Sequence, residues 1–305
     1  MTMSLVVPRD RFGLVRRADA GWTDAMLSAA VRRGDLIRLA LGVYAISGPE
    51  FDGPDGADRL YRLRSIATVS STRDGGATVL SHQSAAAVHG LPLLKPRREY
   101  VHVTSLGGGG LIRGGRHVHG GSLTDDQIIE VGGIRVTDLV RTAVDVAEAG
   151  TFAQALTVFD AALRAGVDRA DLASEIGRRR TKGARETKPA IVVADGRSAS
   201  VGESWSRAQM IEGGIEIPDL QVEHVIDGDT YAVDYEWVGR LLGEFDGMHK
   251  YGRLLRPGET TTQAVIREKL REDRLRRATG LVMVRWAWAD LENHRVVAII
   301  REWLD

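Results

Sequence analysis

The chain has 305 residues, of which 43% are hydrophobic and 27% charged, so it is long enough for two or three ordinary globular domains. Its formal net charge is zero, which excludes a chain-wide attraction to nucleic acid and leaves only a local surface for such contact. The sequence lacks cysteine and any long apolar run, which excludes disulfides, thiolate metal sites and membrane-spanning helices, so we expect a cytoplasmic protein without membrane contacts.

Residues 9–46 are expected to form a helix, a turn, a second helix and a β-hairpin. In WTDAMLSAAVRRG, Thr23 is a suitable N-cap and Gly34 a suitable C-terminal stop. The following DLIRLALGVYAI alternates around Gly42 as two short strands. This order is typical of a winged helix, whose second helix enters the major groove and whose hairpin lies along the DNA backbone.

Three arginines of this segment are candidates for contact with DNA. Arg38 lies on the predicted hairpin, where it could contact a phosphate. Arg32 and Arg33 lie at the far end of the predicted recognition helix, whose first turn carries no basic residue. A purely structural helix–hairpin unit therefore remains the alternative.

Residues 56–180 are expected to form a central α/β domain. YRLRSIATVSS and SHQSAAAVHG predict helices, and ATVL and REYVHVTS predict strands. The glycine-rich LGGGGLIRGGRHVHGGS predicts a hairpin tip or a crossing loop, and IRVTDLVRTAVDVAEAG a strand followed by a helix. Two more helices are expected in TFAQALTVFDAALRAG and DRADLASEIGRR.

Histidines in this central segment raise the question of a metal site. His117 and His119 alternate on a predicted strand beside the glycine-rich loop, and His82 lies near the start of a predicted helix. No two of them have the spacing of a metal-binding helix. A metal here is therefore the less favoured interpretation.

The best domain boundary is the segment 179–198, which is charged and glycine-bearing without a sustained period. After it, a helix is expected to begin near Gly202, followed by three strands in LQVEHVI, YAVDYEWV and GRLLGEFDG. A charged helix over about 262–279 and a last strand in LVMVRWAWADL complete the order helix, three strands, helix, strand.

The acids of this last segment suggest a metal-dependent site. Asp234 and Glu244 lie near the ends of adjacent predicted strands, and Glu244 and Asp246 are two apart and point to the same face. Such carboxylates repel one another unless a cation lies between them, and Mg²⁺ prefers carboxylate oxygens. A bound metal could activate water for phosphodiester hydrolysis. The alternative is that Asp234 and Glu244 form salt bridges with Arg240 or Arg285.

These acids also resemble the pattern of a known family. Asp234 followed by Glu244-Phe245-Asp246 resembles the D…(D/E)xK pattern of restriction-endonuclease-like nucleases. The helix with Glu203 and the segments VDYEW, EFDGMHKYG, REKLREDRLRRATG and VRWAWADL are similar to small endonuclease-like domains allied to very-short-patch-repair enzymes. The resemblance covers about residues 198–305.

The resemblance implies roles for individual residues. Asp234 and Glu244 match the acids that bind Mg²⁺ or Mn²⁺, and Glu203 matches a helical acid that often joins them. At position 246 an aspartate replaces the family's usual lysine, although an acid-x-Asp-Gly pattern is itself common in the allied domains. The residues assigned to catalysis are Glu203, Asp234, Glu244, Asp246, Lys250 and Lys269.

Lysine supplies only five of the 41 basic residues, and two of the five, Lys250 and Lys269, fall in this region. Either could provide the positive charge that the motif lysine normally gives to the water or the phosphate. The alternatives are that both lysines are ordinary surface charges and that Glu203 is a first-turn acid favoured by the helix dipole.

The first 180 residues resemble a second family. VRRGDLIRLALGVYAI and LSHQSAAAVHGLPLL look like the antitoxin-type regulators of AbiEi-like abortive-infection systems. This resemblance implies a transcriptional regulator of a type IV toxin–antitoxin-like system, with DNA and a cognate toxin protein as partners.

We therefore predict an α/β protein of three parts: a winged-helix-like unit (1–55), a central AbiEi-like α/β domain (56–180) and a restriction-endonuclease-like mixed sheet flanked by helices (198–305). The first predicted function is a Mg²⁺-dependent endonuclease that hydrolyses phosphodiester bonds of DNA. The second is a non-catalytic DNA-binding regulator. A third, weaker prediction is a protein–protein module that neutralises a toxin without contacting DNA.

Overall fold

A computed structural model describes residues 7–53, 55–71, 78–179, 184–247 and 260–304. The chain divides into two compact units, Met1–Val146 and Ala147–Asp305. Both units combine helices with β-sheet, which confirms the predicted α/β class at this level. Within the described ranges, no helix is long and apolar enough to cross a membrane.

The first unit begins with a small helix-and-sheet element. Its parts are β1 (Val15–Arg16), α1 (Asp24–Arg33), β2 (Leu36–Ala40) and β3 (Val43–Ile46). The strands form an antiparallel sheet in the order β1-β3-β2. As predicted, the Thr23 side chain caps α1 by accepting a hydrogen bond from the backbone N–H of Met26, and Gly34 ends the helix at a left-handed φ of 81°.

The first helix predicted within residues 9–46 is absent from the described structure. Asp10 instead folds this segment into a turn, because its Oδ1 accepts hydrogen bonds from the backbone N–H groups of Phe12 (2.8 Å) and Leu14 (3.0 Å). Such side-chain bonds satisfy the backbone locally and compete with helix formation. Within the described residues from 7 onward, α1 is therefore the only helix before the hairpin.

The rest of the first unit is a six-stranded mixed sheet with three helices. The elements are α2 (Gly56–Ser70), β4 (Thr78–Leu80), α3 (His82–His89), β5 (Val101–Leu106), β6 (Leu111–Arg113), β7 (Arg116–Gly121), β8 (Ile128–Val131), β9 (Ile134–Thr137) and α4 (Leu139–Glu148), the last of which ends just inside the second unit. The strand order is β6-β7-β5-β4-β9-β8. The core of this sheet includes Leu80, Val101, Val103 and Val136.

The glycine-rich segment 106–122 contains hydrogen-bonded strands and is not only a loop. It contains β6 and β7, and β7 pairs in parallel with β5. The strand β8 was not predicted, because DQIIEVGG is short and lies on the edge of the sheet.

The second unit starts with four helices and continues with a four-stranded sheet. Its elements are α5 (Phe152–Arg164), α6 (Arg169–Arg178), α7 (Ala184–Val193), α8 (Val201–Glu212), β10 (Asp219–Ile226), β11 (Asp229–Trp237), β12 (Leu241–Asp246), α9 (Thr261–Thr279), β13 (Val282–Ala287), α10 (Trp288–Glu292) and α11 (Val296–Leu304). The strand order is β10-β11-β12-β13, antiparallel except for the parallel pair β12–β13. The predicted order of helix, three strands, helix and strand is therefore present from α8 onward.

The division between the two units differs from the predicted boundary at 179–198. The physical reason is a buried contact between α5 and α8, in which Arg207 donates a 2.7 Å hydrogen bond to Asp160. Asp160 also accepts a bond from the backbone N–H of Asp195. The helices α5 and α7 thus pack with α8 inside the second unit.

Candidate functional site

A cavity of about 310 Å³ lies between α9 and the sheet of the second unit. Three of the acids that were assigned to catalysis line it together: Asp234 from β11, and Glu244 and Asp246 from β12. The cavity also contains three guanidinium groups and a fourth acid, which are those of Arg267, Arg271, Arg285 and Glu268. The convergence predicted from adjacent strands is therefore present.

Asp234 is held in place by two donors. Its Oδ2 accepts a 2.9 Å hydrogen bond from the backbone N–H of Phe245, and its Oδ1 accepts a 3.1 Å bond from the side-chain amide of Gln221. The same Gln221 nitrogen donates to Glu203 Oε2 at 3.1 Å. Gln221 therefore links the helical acid to the strand acid.

Gln221 adopts an unusual backbone conformation for a strand residue. Its φ is 51°, and the pairing of β10 with β11 passes from Leu220 to Val222 without it. A left-handed φ is unfavourable for glutamine, so such a conformation is maintained only by its surroundings and often marks a functional position. Here it accompanies the bridge between Glu203 and Asp234.

Glu203 itself serves the start of α8. Ser200 is the N-cap, and Glu203 accepts hydrogen bonds from Ser200 Oγ and from the backbone N–H of Ala199, both at 2.8 Å. These contacts are those of an acid that caps a helix N-terminus. Glu203 does not line the cavity among the described residues, and Gln221 links it to Asp234.

Glu244 lies between two arginines. Its Oε1 accepts a 2.6 Å hydrogen bond from Arg271 of α9, and its Oε2 lies 3.0 Å from Arg285 Nη2. Glu244 and Arg285 are directly paired in the parallel register of β12 and β13, which explains their proximity. The salt bridge to Arg285 that was weighed as an alternative for Glu244 is thus present, whereas Arg240 pairs with Glu216.

The same two arginines also bind Glu268 and so form a closed charge network. Arg271 Nη1 and Arg285 Nη2 lie 2.8 Å and 3.0 Å from Glu268 Oε1. The cavity as a whole is lined by four carboxylates and three guanidinium groups, so its charges nearly balance. Arginines thus supply the positive charge that was expected between these acids, and a bound Mg²⁺ or Mn²⁺ stays a prediction.

The two glutamates of this network differ in their pKa values. Burial raises the pKa of Glu244 above its usual value, against the opposing effect of Arg271 and Arg285. Burial also acts to raise the pKa of Glu268, but Arg271 and Arg285 outweigh it and the pKa lies below its usual value. Glu244 is therefore the better proton acceptor of the pair.

The donor set fits Mg²⁺ in type but only partly in arrangement. Asp234, Glu244 and Asp246 offer hard carboxylate oxygens around one cavity, and Mg²⁺ often uses only one or two carboxylates with water. Among the described residues, no three of these carboxylates bring oxygen atoms mutually within 4.8 Å. The cavity therefore offers the oxygen donors that Mg²⁺ prefers, while each carboxylate oxygen of Glu244 already has an arginine partner.

The predicted lysines do not line the cavity in the described part of the chain. Lys269 is exposed on α9, two residues before Arg271, and Lys250 lies outside the described residues. Arginines 267, 271 and 285 occupy the region where the motif lysine was expected to act. The sequence reasoning named Arg285 only as an alternative partner of the acids and did not identify Arg267 or Arg271.

The three arginines predicted to contact DNA are exposed on the first unit. Arg32 and Arg33 lie at the end of α1, where Arg33 forms a 2.8 Å ion pair with Asp35. Arg38 lies on β2, beside the hairpin residue Leu41, which is 83% exposed. The structure places them at the surface and does not test their role.

A second cluster, of histidines, lies in the first unit. His102 of β5 pairs in register with His117 of β7, and His119 lies two residues further along β7. One ring nitrogen from each of the three lies within 4.8 Å of the other two. The ring of His82 stacks on that of His119 with centroids 3.7 Å apart.

Sequence reasoning missed this cluster because it omitted His102. The signal was present in the alternation of β5 and β7, where Val101, Val103 and Val118 face the core and place the intervening histidines on the other face. The two strands come from separate segments of the sequence. Only their parallel pairing in the sheet brings the histidines of β5 and β7 together.

Proximity and burial affect the titration of these histidines. Burial and the neighbouring His117 lower the pKa of His102 to about 4. Burial and the neighbouring His82, His117 and His102 lower the pKa of His119 to about 3. Both imidazoles are therefore neutral at neutral pH.

No known family model matches the chain. A solved structure, the "Crystal structure of RV2827C protein from Mycobacterium tuberculosis", shares 16% sequence identity and a TM-score of 0.37, over 70% of this chain and 80% of that one. At this level of similarity, neither fold nor function is transferred.

Two curated proteins of Mycobacterium tuberculosis show a stronger similarity. They are "Uncharacterized protein Rv2248" of strain H37Rv and "Uncharacterized protein MT2308" of strain CDC 1551. Each is 32% identical over 236 residues, which cover 74% of this chain and 79% of the relative. The chain belongs to the same protein family as these two mycobacterial proteins.

Proposed function

We propose that the second unit is a restriction-endonuclease-like domain that hydrolyses phosphodiester bonds of DNA with Mg²⁺ or Mn²⁺. One observation carries the proposal: Asp234, Glu244 and Asp246 line a single cavity with three arginines, on the order of helix, three strands, helix and strand. Carboxylates beside guanidinium groups suit a site that must hold both a cation and a phosphate.

Each group of the cavity has a proposed task. Asp234, with Asp246 or Glu244, would hold the divalent ion, which would supply an activated water and a Lewis acid at the phosphate. The amide of Gln221 and the backbone N–H of Phe245 orient Asp234. Arg271 and Arg285 would exchange a carboxylate partner for a phosphate oxygen when DNA enters.

Where Asp246 is the second ligand of the ion, Glu244 would serve as the proton acceptor. Its buried carboxylate has a raised pKa and is thus a stronger base than an ordinary glutamate. Release from Arg271 would free Oε1 to accept a proton from the attacking water. In this proposal the motif lysine is replaced by arginines, which stabilise charge without transferring protons.

The first unit would bring DNA to the second. We propose that α1 and the β2–β3 hairpin act as a winged-helix-like element of an AbiEi-like regulator, with Arg38 against a phosphate and Arg32 and Arg33 nearby. The exposure of all three arginines supports this assignment.

The experiment is a cleavage assay on the purified full chain. Supercoiled, mismatched and single-stranded DNA would be incubated with Mg²⁺ or Mn²⁺ and with the variants Asp234→Asn and Glu244→Gln. Glu223→Gln is the matched control, because Glu223 is an exposed acid on the same sheet. We expect metal-dependent cleavage in the parent and the control and a large loss in both site variants. No cleavage on any substrate, or cleavage that Asp234→Asn leaves unchanged, would refute the nuclease.

A second candidate function is a DNA-binding regulator or antitoxin that does not cleave. It is favoured by one specific observation, that each carboxylate oxygen of Glu244 already has an arginine partner. In this case the cavity would be a structural charge network and the chain would bind DNA, or a cognate toxin, without hydrolysis. Footprinting on the DNA upstream of the chain's own coding region tests it: a protected site without cleavage supports the regulator, and the absence of protection counts against it.

A further inference from the structure

The histidine cluster of the first unit has the composition of a metal-binding site. His102, His117 and His119 come from two adjacent parallel strands, and their closest ring nitrogens lie within 4.8 Å of one another. His102 Nδ1 and His119 Nε2 are separated by 2.9 Å.

A buried polar atom on the same face of the sheet is a second, independent observation. Thr104 is directly paired with His119 in the β5–β7 register and is 1% exposed. Its Oγ1 has no hydrogen-bond partner within the described chain. An unsatisfied buried hydroxyl is unfavourable. A bound ion or its water would provide the missing polar partner on this face of the sheet.

We propose that His102, His117 and His119 bind a divalent transition-metal ion of the zinc class, with a fourth position open to water or a ligand. Three imidazoles without a carboxylate or thiolate favour Zn²⁺ and related ions over Mg²⁺ or Ca²⁺. This site is separate from the carboxylate cavity of the second unit and does not depend on the proposed nuclease activity.

The required movement is small. Zinc–nitrogen bonds of about 2.0–2.1 Å place tetrahedral ligand nitrogens roughly 3.3 Å apart. The three nitrogens already lie within 4.8 Å of one another, which is close to this spacing. In the metal-bound state, the contact between His102 and His119 would be replaced by two bonds to one ion.

Neighbouring groups are placed to support the ligands. His82 stacks on His119, and its Nδ1 lies 3.7 Å from Asp145 Oδ2. His82 has a left-handed φ of 51°, an unfavourable backbone conformation for histidine that its surroundings must maintain. The stacked ring of His82 therefore packs against one of the three histidines of the cluster.

The alternative is that the four rings pack together without a metal. In that case the cluster would be held together by the contact between His102 and His119 and by the stacking of His82, without a ligand. That explanation leaves Thr104 Oγ1 without a partner in the described structure. Direct metal binding separates the two explanations.

The experiment uses the purified full chain, stripped of metal with a chelator and then titrated with Zn²⁺ or Co²⁺. We expect one tight equivalent of Zn²⁺ per chain by mass spectrometry of the dialysed protein and intense visible absorption of four-coordinate Co²⁺. Loss of an outer group typically lowers metal affinity about 10–100-fold, so loss of a ligand in His102→Ala, His117→Ala or His119→Ala should lower it at least about tenfold. His294→Asn is the control, because His294 is exposed and asparagine tolerates its left-handed φ of 53°.

Thermal unfolding with and without Zn²⁺ tests metal binding even in a variant that is less stable than the parent. Zn²⁺ should raise the melting temperature of the parent and of His294→Asn through binding to the folded state, and it should not raise that of the ligand variants. A parent chain that retains no zinc, or ligand variants that bind Zn²⁺ as tightly as the parent, would overturn the proposal.

Discussion

Arg271 donates a 2.6 Å hydrogen bond to Glu244 and thereby joins α9 to the strand that carries two of the predicted catalytic acids. The same guanidinium binds Glu268 one turn earlier on α9 and the backbone oxygen of Ala232 on β11. One side chain therefore ties the helix to two strands. Whether it serves the fold, a phosphate, or both is open to direct measurement.

We predict that Arg271→Ala destabilises the chain by about 1–3 kcal/mol, because it leaves the buried Glu244 with fewer partners. Urea unfolding followed by circular dichroism measures this change. Arg277→Ala is the matched control, since Arg277 is an exposed arginine on the same helix and should change the free energy of unfolding by less than about 0.5 kcal/mol. Equal effects of the two substitutions would show that the Glu244 contact is not stabilising.

The sequence was sufficient to predict much of the second unit. The order of its elements from α8 to β13 and the convergence of Asp234, Glu244 and Asp246 follow from strand alternation and from the spacing of the acids, whereas α10 and α11 were not predicted. The partners of those acids could not be predicted in the same way. Arg271 reaches Glu244 because of how α9 lies on the sheet, and sequence spacing does not determine that rotation.

In the first unit, local signals were overridden by contacts distant in sequence. A turn formed by Asp10 takes the place of a predicted helix. The turn depends on hydrogen bonds from the backbone to the Asp10 side chain, which helix propensity does not include. The glycine-rich segment became two strands because β7 has β5 as a parallel neighbour. His102 joined the histidine cluster for the same reason, so the cluster was visible only after strand pairing was known.

We predict opposite effects for two glycine substitutions in helices. A Cβ at Gly202 would lie 2.0 Å from the Phe245 ring, so Gly202→Ala should destabilise by about 1–3 kcal/mol and displace α8 from β12. A Cβ at the exposed Gly177 would meet nothing within 4 Å, so Gly177→Ala should stabilise α6 by up to about 1 kcal/mol. Chemical unfolding of both variants measures the changes; a neutral Gly202→Ala would mean that the close approach of helix and strand is not required.

The buried ion pair of Asp160 and Arg207 predicts that α5 is needed for the stability of the second unit. Both side chains are at most 3% exposed, so Asp160→Ala should destabilise by about 3–5 kcal/mol, because it leaves a buried guanidinium without its partner. Asp171→Ala is the control, as Asp171 is an exposed acid at the start of α6, and it should cost less than about 1 kcal/mol.

The same pair predicts the behaviour of fragments. A fragment of residues 147–305 keeps Asp160 and should unfold cooperatively, whereas residues 198–305, the domain predicted from sequence, lose α5 and should be much less stable. Urea unfolding of the two fragments measures this difference. Equal free energies of unfolding would favour the boundary at 198 over the division at 146.

The histidine cluster predicts a dependence of stability on pH in the metal-free chain. His102 and His119 have folded-state pKa values of about 4 and about 3, whereas an unfolded histidine titrates near 6.5. As the pH falls from about 6.5 towards 4, the unfolded chain therefore binds protons that the folded chain does not, and the free energy of unfolding should fall. The groups facing the pair are His82 and His117, which oppose protonation, and Glu99 and Asp145, which favour it.

Urea unfolding at pH 7, 6 and 5 in the presence of a chelator measures this dependence. The double variant His102→Gln, His119→Gln removes both groups and should show a smaller loss of stability between pH 7 and 5, while His294→Asn should follow the parent. The interval above pH 5 is the informative one, because carboxylates with lowered pKa values, such as Glu268, add their own loss of stability only at lower pH. An unchanged slope in the double variant would mean that these two imidazoles are as easily protonated in the folded chain as in the unfolded one, and that their burial on the β5–β7 face is not maintained in solution.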